Sequence, residues 1–357
     1  MKRIASWTLL VCLVVGMLAG CGGGDGGQPA GETRVVFVPK LTGNAFFEAA
    51  NNGAQAFAAQ QGFVVDYQGS PQASIEDQIA IVEQAIEDKA DAICISALDA
   101  TALDAVMKRA MDAGIKVVTW DSDVSGDARM LMVSQGTPEQ LGTMLVEMGA
   151  KSLAARGKNP GEDKIRYVWH YSQEIVADQN SWNRAGEAYI QATYPNWVNV
   201  APQNYYSQQD PALALSVGTE ILEQHTDIDL IICNDSTSLP GQAQAAKELG
   251  LTAEDVTITG FASPNAMRTY CKEGIVERWG LWDCQVQGAL GCYLAYYLAQ
   301  GNMLKVGDKV DVPDIGIVTV MPNTVLDAGA YTAENSGVIL LPSRSEYTIS
   351  NVDDYDF

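Results

Sequence analysis

Lys40 is followed closely by Asn44, Phe46 and Phe47, so one short stretch carries a cation, an amide and two aromatic rings. Further along come Asp121-Ser122-Asp123, then Asp178-Gln179-Asn180 with Trp182, then Asn234-Asp235-Ser236, and finally Gly280-Leu281-Trp282-Asp283. These are carboxylates, carboxamides, hydroxyls, one lysine and several aromatics. The set suits binding better than bond breaking: aromatic faces cover the C–H surfaces of a small polyhydroxylated ring, while carboxylates and amides take its hydroxyls. The residues expected to touch such a ligand are Lys40, Asn44, Phe46, Phe47, Asp121, Asp178, Gln179, Trp182, Asn234, Ser236 and Trp282. Each also has an ordinary role open to it. Lys40 could be a solvated cation, Asp121 or Asp123 a turn cap, Asp178 a helix cap, and one of the two Phe a core residue. The weight lies in their convergence.

That convergence follows from the elements that carry them. From Arg34 onward, β-branched runs (RVVFVP, FVVDYQ, DAICIS, IKVVTWD, KIRYVWH, DIDLIICND, DVTITGF) alternate with helical stretches. In residues 74–90, Ile75, Ile79, Val82 and Ile86 fall on one helical stripe, with Ser74 as N-cap. Strand–helix alternation with near-continuous apolar strands predicts an α/β fold whose parallel sheets are covered on both faces. The rhythm pauses near Ser134-Gln135-Gly136 and restarts, which predicts two doubly wound lobes. In such sheets ligands bind beyond the carboxyl ends of the strands, where the polar segments lie. Trp120 and Trp169, inside strand runs, read as core, and His170 as structural or surface.

Composition excludes several classes. The chain has 357 residues and a net charge of −22, so it offers no basic face for nucleic acid. Two histidines far apart, His170 and His225, leave little for imidazole catalysis or a His-rich metal site. There is no GxSxG, P-loop or calcium loop, and no GxGxxG between a strand and a helix, so neither enzyme nor cofactor nor metal is called for.

The first 21 residues read as a targeting segment. A basic start (Lys2, Arg3) and a mostly apolar 4–17 stretch too short for a confident membrane span lead to Leu18-Ala19-Gly20-Cys21. That ending resembles a bacterial lipobox, which makes Cys21 the expected lipidation site and the outer face of a bacterial membrane the expected location, in a periplasm or at the cell surface. Residues 22–33 (GGGDGGQPAGET) read as a flexible tether. Without Lys2 and Arg3 the balance is 20 basic against 44 acidic residues, or −24. Five cysteines then remain. Cys94 and Cys233 read as buried strand residues, and Cys271 with Cys284 is a candidate pair that is not counted as a disulfide.

The motifs VPKLTGNAFF, GIKVVTWDSD, SQGTPEQLG, ADQNSW, GLWD, the SGVILLP stretch and the closing YDF resemble the Lsr-type autoinducer-2 receptors, with rhamnose-binding relatives second. Both lie among the pentose- and hexose-type periplasmic binding proteins of ABC importers. The similarity spans nearly the whole mature chain. It implies a type I periplasmic binding protein fold with a three-segment hinge near Gln135-Gly136, Asp283-Cys284 and residues 306–312. The first lobe would be 34–136 with 284–308, and the second 137–283 with 309–357. It also implies a ligand-binding Lys at Lys40, Asp at Asp121 and an Asp-Gln pair at Asp178-Gln179. Where the family has Pro and Ala two apart after LII, this chain has Asn234 and Ser236. Where ribose binders place Asp after Gly-Phe, it has Ala262 after Gly260-Phe261. The expected function is capture of a small neutral polyol for an ABC permease: autoinducer-2 first, with rhamnose or another pentose or hexose as the alternative ligand. A sensory receptor presenting its closed form to a chemoreceptor or kinase is the alternative. A sugar-responsive repressor is excluded by the leader, the acidic charge and the lack of a helix-turn-helix.

Overall fold

The expected strand runs form two mainly parallel sheets. A computed structural model describes residues 32–201 and 203–357. The leader, the lipobox and nearly all of the tether lie outside the described residues. In the first sheet, β1 (Arg34–Val38), β2 (Val64–Tyr67), β3 (Ala92–Ile95), β4 (Lys116–Trp120) and β5 (Leu131–Ser134) run parallel. Three helices connect the first four strands: α1 (Ala45–Gln61), α2 (Ile75–Glu87) and α3 (Asp104–Asp112). The second sheet starts after α4 (Pro138–Ala155). It contains β6 (Arg166–Tyr171), the short β7 (Val198–Asn199) and β8 (Tyr205–Tyr206), β9 (Leu230–Cys233) and β10 (Thr257–Gly260). Its helices are α5 (Ala177–Thr193), α6 (Pro211–Gln224), α7 (Ser238–Glu248) and α8 (Pro264–Lys272).

Along β1, Val35 and Phe37 face one apolar cluster while Val36 and Val38 face another. A strand buried on both faces has no polar side to show, which is why these strands read as continuous apolar runs. On α2 the buried line is Gln78, Val82 and Ala85, and Ile75, Ile79 and Ile86 flank it, so the expected stripe is rotated. Gln78 causes the rotation. Its Nε2 donates to the carbonyls of Pro39 (3.0 Å) and Ser96 (2.8 Å), and its Oε1 accepts from Leu98 N (3.0 Å). A buried amide thus braces the two loops that carry Lys40 and Ser96. Ser74 caps α2 by accepting from Asp77 N.

The chain then returns to the first sheet. After β11 (Trp279–Leu281), α9 (Cys284–Ala299) packs on α1, so closely that a Cβ on Gly288 would lie 2.2 Å from the Ala50 carbonyl oxygen. A hairpin follows, β12 (Lys309–Val312) with β13 (Gly316–Thr319). Next come β14 (Met321–Pro322) and β15 (Gly337–Leu340), which extend the first sheet beyond β5. This corrects the expected lobe boundary. Residues 309–340 were expected in the second lobe, but β15 pairs with β5 and Leu341 N continues the ladder to Ser134 O. The third crossing therefore falls between β15 and β16 (Ser345–Tyr347), which pairs with β11, and not at 306–312.

The first sheet has the order β2-β1-β3-β4-β5 and the second β7-β6-β9-β10. In each, strand order reverses beside the first strand, opening a crevice beyond the carboxyl ends. The two crevices face each other.

Candidate functional site

The first sheet delivers Lys40 just past β1 and Asp121 directly after β4. Lys40 Nζ lies 3.1 Å from Asp121 Oδ2, and the two side chains are 1% and 5% exposed. Asp121 Oδ2 also accepts from Ser96 Oγ at 2.7 Å. The Asp121 backbone is left-handed, φ 59°, an uncommon state for a non-glycine residue. Asp123, two residues on, holds the loop in this shape: its carboxylate is gripped by Arg129, whose guanidinium also bonds Asn323, Ser336 and the Gly337 carbonyl. Phe46 and Phe47 open α1, where Asn44 Oδ1 caps the helix by accepting from Phe46 N. Both rings are buried.

From the second sheet come Asp178 and Gln179 in the first turn of α5, Asn234 just past β9 and Phe261 just past β10. Asp178 Oδ1 accepts from Ser122 Oγ across the cleft at 2.9 Å. Asn234 Oδ1 accepts from Ser172 N at 3.0 Å. Trp182 and Phe261 meet edge to face at 5.9 Å, and Trp282 stands edge-on to Trp182, Phe261 and Phe46 at 5.9, 5.5 and 5.7 Å. Rings from both lobes thus wall one cavity.

Several buried polar atoms here have no hydrogen-bond partner among the described residues: Lys40 Nζ, Asp178 Oδ2, Gln179 Oε1 and Asn234 Nδ2. The Lys40–Asp121 approach is close but poorly aligned, so the ammonium's donors remain unused. Leaving a buried polar group unpaired costs roughly 1–3 kcal/mol, more when it is charged. Four such atoms, two donors and two acceptors, between aromatic walls describe a ring bearing hydroxyls that both give and accept hydrogen bonds.

The charges reinforce this. Burial alone would lower the Lys40 pKa, but Asp121, Asp178 and Asp235 together hold it above its ordinary value. Burial pushes Asp178 up to about 6, offset in part by Lys40. Asp235 is also raised by burial, with Ser238 working against it. His170 stands apart from the cavity. It is fully buried, its Nδ1 lies 3.0 Å from Gln242 Oε1, and burial lowers its pKa to about 4.

Of the expected residues, Lys40, Phe46, Phe47, Asp121, Gln179, Trp182, Asn234, Ser236 and Trp282 line this cavity. Asp178 reaches it from an adjoining pocket, through Ser122 and the field of Lys40. Asn44 sits at the mouth, bonded to Ser236 and Thr237. Both Phe belong to the apolar core, and both also line the cavity. Gln209, Asp235, Phe261 and Leu281 also line it and were not singled out. Asp235 and Leu281 lie inside quoted segments, and Phe261 ends a quoted strand. Gln209 follows the two-residue β8, which leaves no pattern to read. The five described cysteines are buried thiols and form no disulfide.

Three crossings frame the cavity, and a polar chain ties them to it. Trp282 Nε1 donates to Gln287 Oε1 (2.6 Å), Gln287 Nε2 to Gln135 Oε1 (3.1 Å), and Gln135 Nε2 to the Asp121 carbonyl (3.1 Å). Arg344, at the third crossing, donates to the Gln135 carbonyl. Hinge and site are thus one hydrogen-bonded unit.

Comparison with known proteins agrees with this fold. The chain is 59% identical to LsrB from Clostridium saccharobutylicum, solved in complex with AI-2, with a TM-score of 0.90 over 91% of this chain and 100% of that one. An ABC transporter solute-binding protein from Clostridium phytofermentas with bound L-rhamnose shares the fold at 20% identity and a TM-score of 0.80, over 91% of this chain and 98% of that one. A D-ribose/D-allose-binding protein from Pseudomonas aeruginosa is 25% identical over 85% of this chain and 94% of its own length. The periplasmic binding protein domain model matches residues 35–303, and this chain belongs to that family of substrate-binding proteins.

Proposed function

We propose that this protein captures autoinducer-2 between its lobes and presents it to an ABC permease, anchored to the membrane through lipid on Cys21. The observation that carries the ligand assignment is the set of unpartnered buried atoms on Lys40, Asp178, Gln179 and Asn234, enclosed by Phe46, Trp182 and Trp282. Asp178 and Asp121 accept from ligand hydroxyls, Lys40 and Asn234 donate to ligand oxygens, and Gln179 Oε1 accepts a further hydroxyl. The likeness to AI-2-bound LsrB favours autoinducer-2 over rhamnose. Asn234 and Ser236 depart from the expected Pro-x-Ala pattern, and both line the cavity. For the anchor, support comes from the sequence of residues 1–21, and among the described residues no helix is long and apolar enough to cross a membrane.

A thermal-shift titration with autoinducer-2 and L-rhamnose side by side tests the reading. Ligand at about 100-fold over its dissociation constant adds roughly 2.7 kcal/mol of stability, a rise of several degrees. Autoinducer-2 alone should produce it. A shift with rhamnose alone would make this a sugar receptor, and no shift with either would overturn the ligand class.

A further inference from the structure

Asn44 and Ser236 were expected to contact ligand. The structure gives them another use, and the inference rests on reading the inter-lobe cleft as the binding site. Asn44 Oδ1 caps α1 and also accepts from Ser236 Oγ at 3.2 Å, while Asn44 Nδ2 donates to Thr237 Oγ1 at 3.3 Å. Asn44 belongs to the first lobe, and Ser236 and Thr237 follow β9 in the second. The loop that presents them is held firmly. Asn234 Oδ1 accepts from Ser172 N, and Asp235 accepts from the backbone N–H groups of Thr237 and Ser238.

We infer that Asn44, Ser236 and Thr237 form a latch that closes the lobes on one another directly. Asn44 and Thr237 are positioning residues that set how long ligand stays without lining the cavity, while Ser236 lines it and bonds Asn44 as well. The Asn44 amide is spent at both ends on protein, so a ligand gains nothing from it. The bonds exist only while the lobes are together, so they stabilise the closed state whether or not the cleft is filled, and a more populated closed state binds more tightly. The Ser122–Asp178 bond bridges the lobes as well, but Asp178 is also proposed to bind ligand and Ser236 lines the cavity, so Asn44 and Thr237 best separate latch from ligand contact.

The test is a mutant cycle read by stopped-flow fluorescence of the tryptophans beside the cleft, with autoinducer-2 as probe. Ser236→Ala and Thr237→Val should each speed dissociation about fivefold by losing one hydrogen bond. Asn44→Ser keeps the helix cap but cannot span the gap, and should speed dissociation about 25-fold. The association rate should hold, Ser236→Thr should retain wild-type dissociation, and the triple variant should be no faster than Asn44→Ser. Independent, multiplying effects of the three substitutions, or unchanged dissociation in all of them, would overturn the latch. Should wild type fail to bind autoinducer-2, the ligand reading fails and the latch is still tested by small-angle scattering of the ligand-free protein. The latch predicts a larger radius of gyration for Asn44→Ser than for wild type, and equal radii would refute it.

Discussion

Asp178→Asn isolates the carboxylate that meets Ser122 across the cleft. Asparagine keeps the size of the side chain and an acceptor for Ser122 Oγ, but removes the carboxylate that faces Lys40. A hydrogen bond to a charged partner is worth roughly 1.5–3 kcal/mol, so affinity for autoinducer-2 should fall by about 10- to 150-fold. The pH dependence is a second signature. Burial raises the Asp178 pKa to about 6, so the carboxylate proposed to accept ligand hydroxyls is half formed there. Wild-type affinity should be level above pH 7 and about tenfold weaker at pH 5, where roughly one molecule in eleven is ionised. Stability runs the other way. A raised acid contributes stability that is fully present below its ordinary value near 4 and is lost as pH rises through about 6. The ligand-free variant should therefore unfold no earlier than wild type at pH 8, and binding strain and folding stability oppose each other at this position. Calorimetric titrations at pH 5, 6, 7 and 8, with melting curves at the same pH values, measure both. A variant that binds as tightly as wild type, or that keeps the wild-type pH slope, would refute the role given to this carboxylate.

His170 carries the opposite pH signature. Its pKa is lowered by burial to about 4, so its contribution to stability is present above about pH 6.5 and lost as pH falls toward 4. Relative to His170→Gln, wild type should lose about 2 kcal/mol between pH 7 and pH 5 in urea unfolding. Parallel curves for the two would mean that the ring does not titrate on unfolding. Arg129→Met strands Asp123 and frees the loop that holds Asp121 in its left-handed conformation. Breaking such a pair costs roughly 3–5 kcal/mol. Denaturant unfolding should show most of that loss, and a change under about 1 kcal/mol would show that the guanidinium does not hold the loop.

The parts of the fold that could be read from sequence were those whose local pattern reports their surroundings. Strands β1, β3, β4, β6, β9 and β10 are buried on both faces, and each showed as an apolar run with a polar residue or turn at its end. Since ligands collect at such ends, Lys40, Asp121 and Asn234 followed from the fold rule alone. Three features escaped. The strand β15 reads as apolar, but nothing local says that it pairs with the distant β5, so the third crossing was misplaced. Gln78 counts as polar in any periodicity, yet it is buried because three backbone groups take its amide. Ser236 lies in a promising segment, but its partner Asn44 comes from the other lobe, and partnership across a cleft leaves no trace in spacing.

The central claim is that autoinducer-2 sits in this cavity and satisfies the atoms the protein leaves unpaired. A crystal structure grown with autoinducer-2 tests it most directly. Ligand should lie between the lobes, with oxygens within hydrogen-bond distance of Lys40 Nζ, Asp178 Oδ2, Gln179 Oε1 and Asn234 Nδ2, and with Phe46 and Trp282 against its carbon faces. A ligand bound elsewhere, or held in the cleft with those four atoms still unpaired, would contradict it.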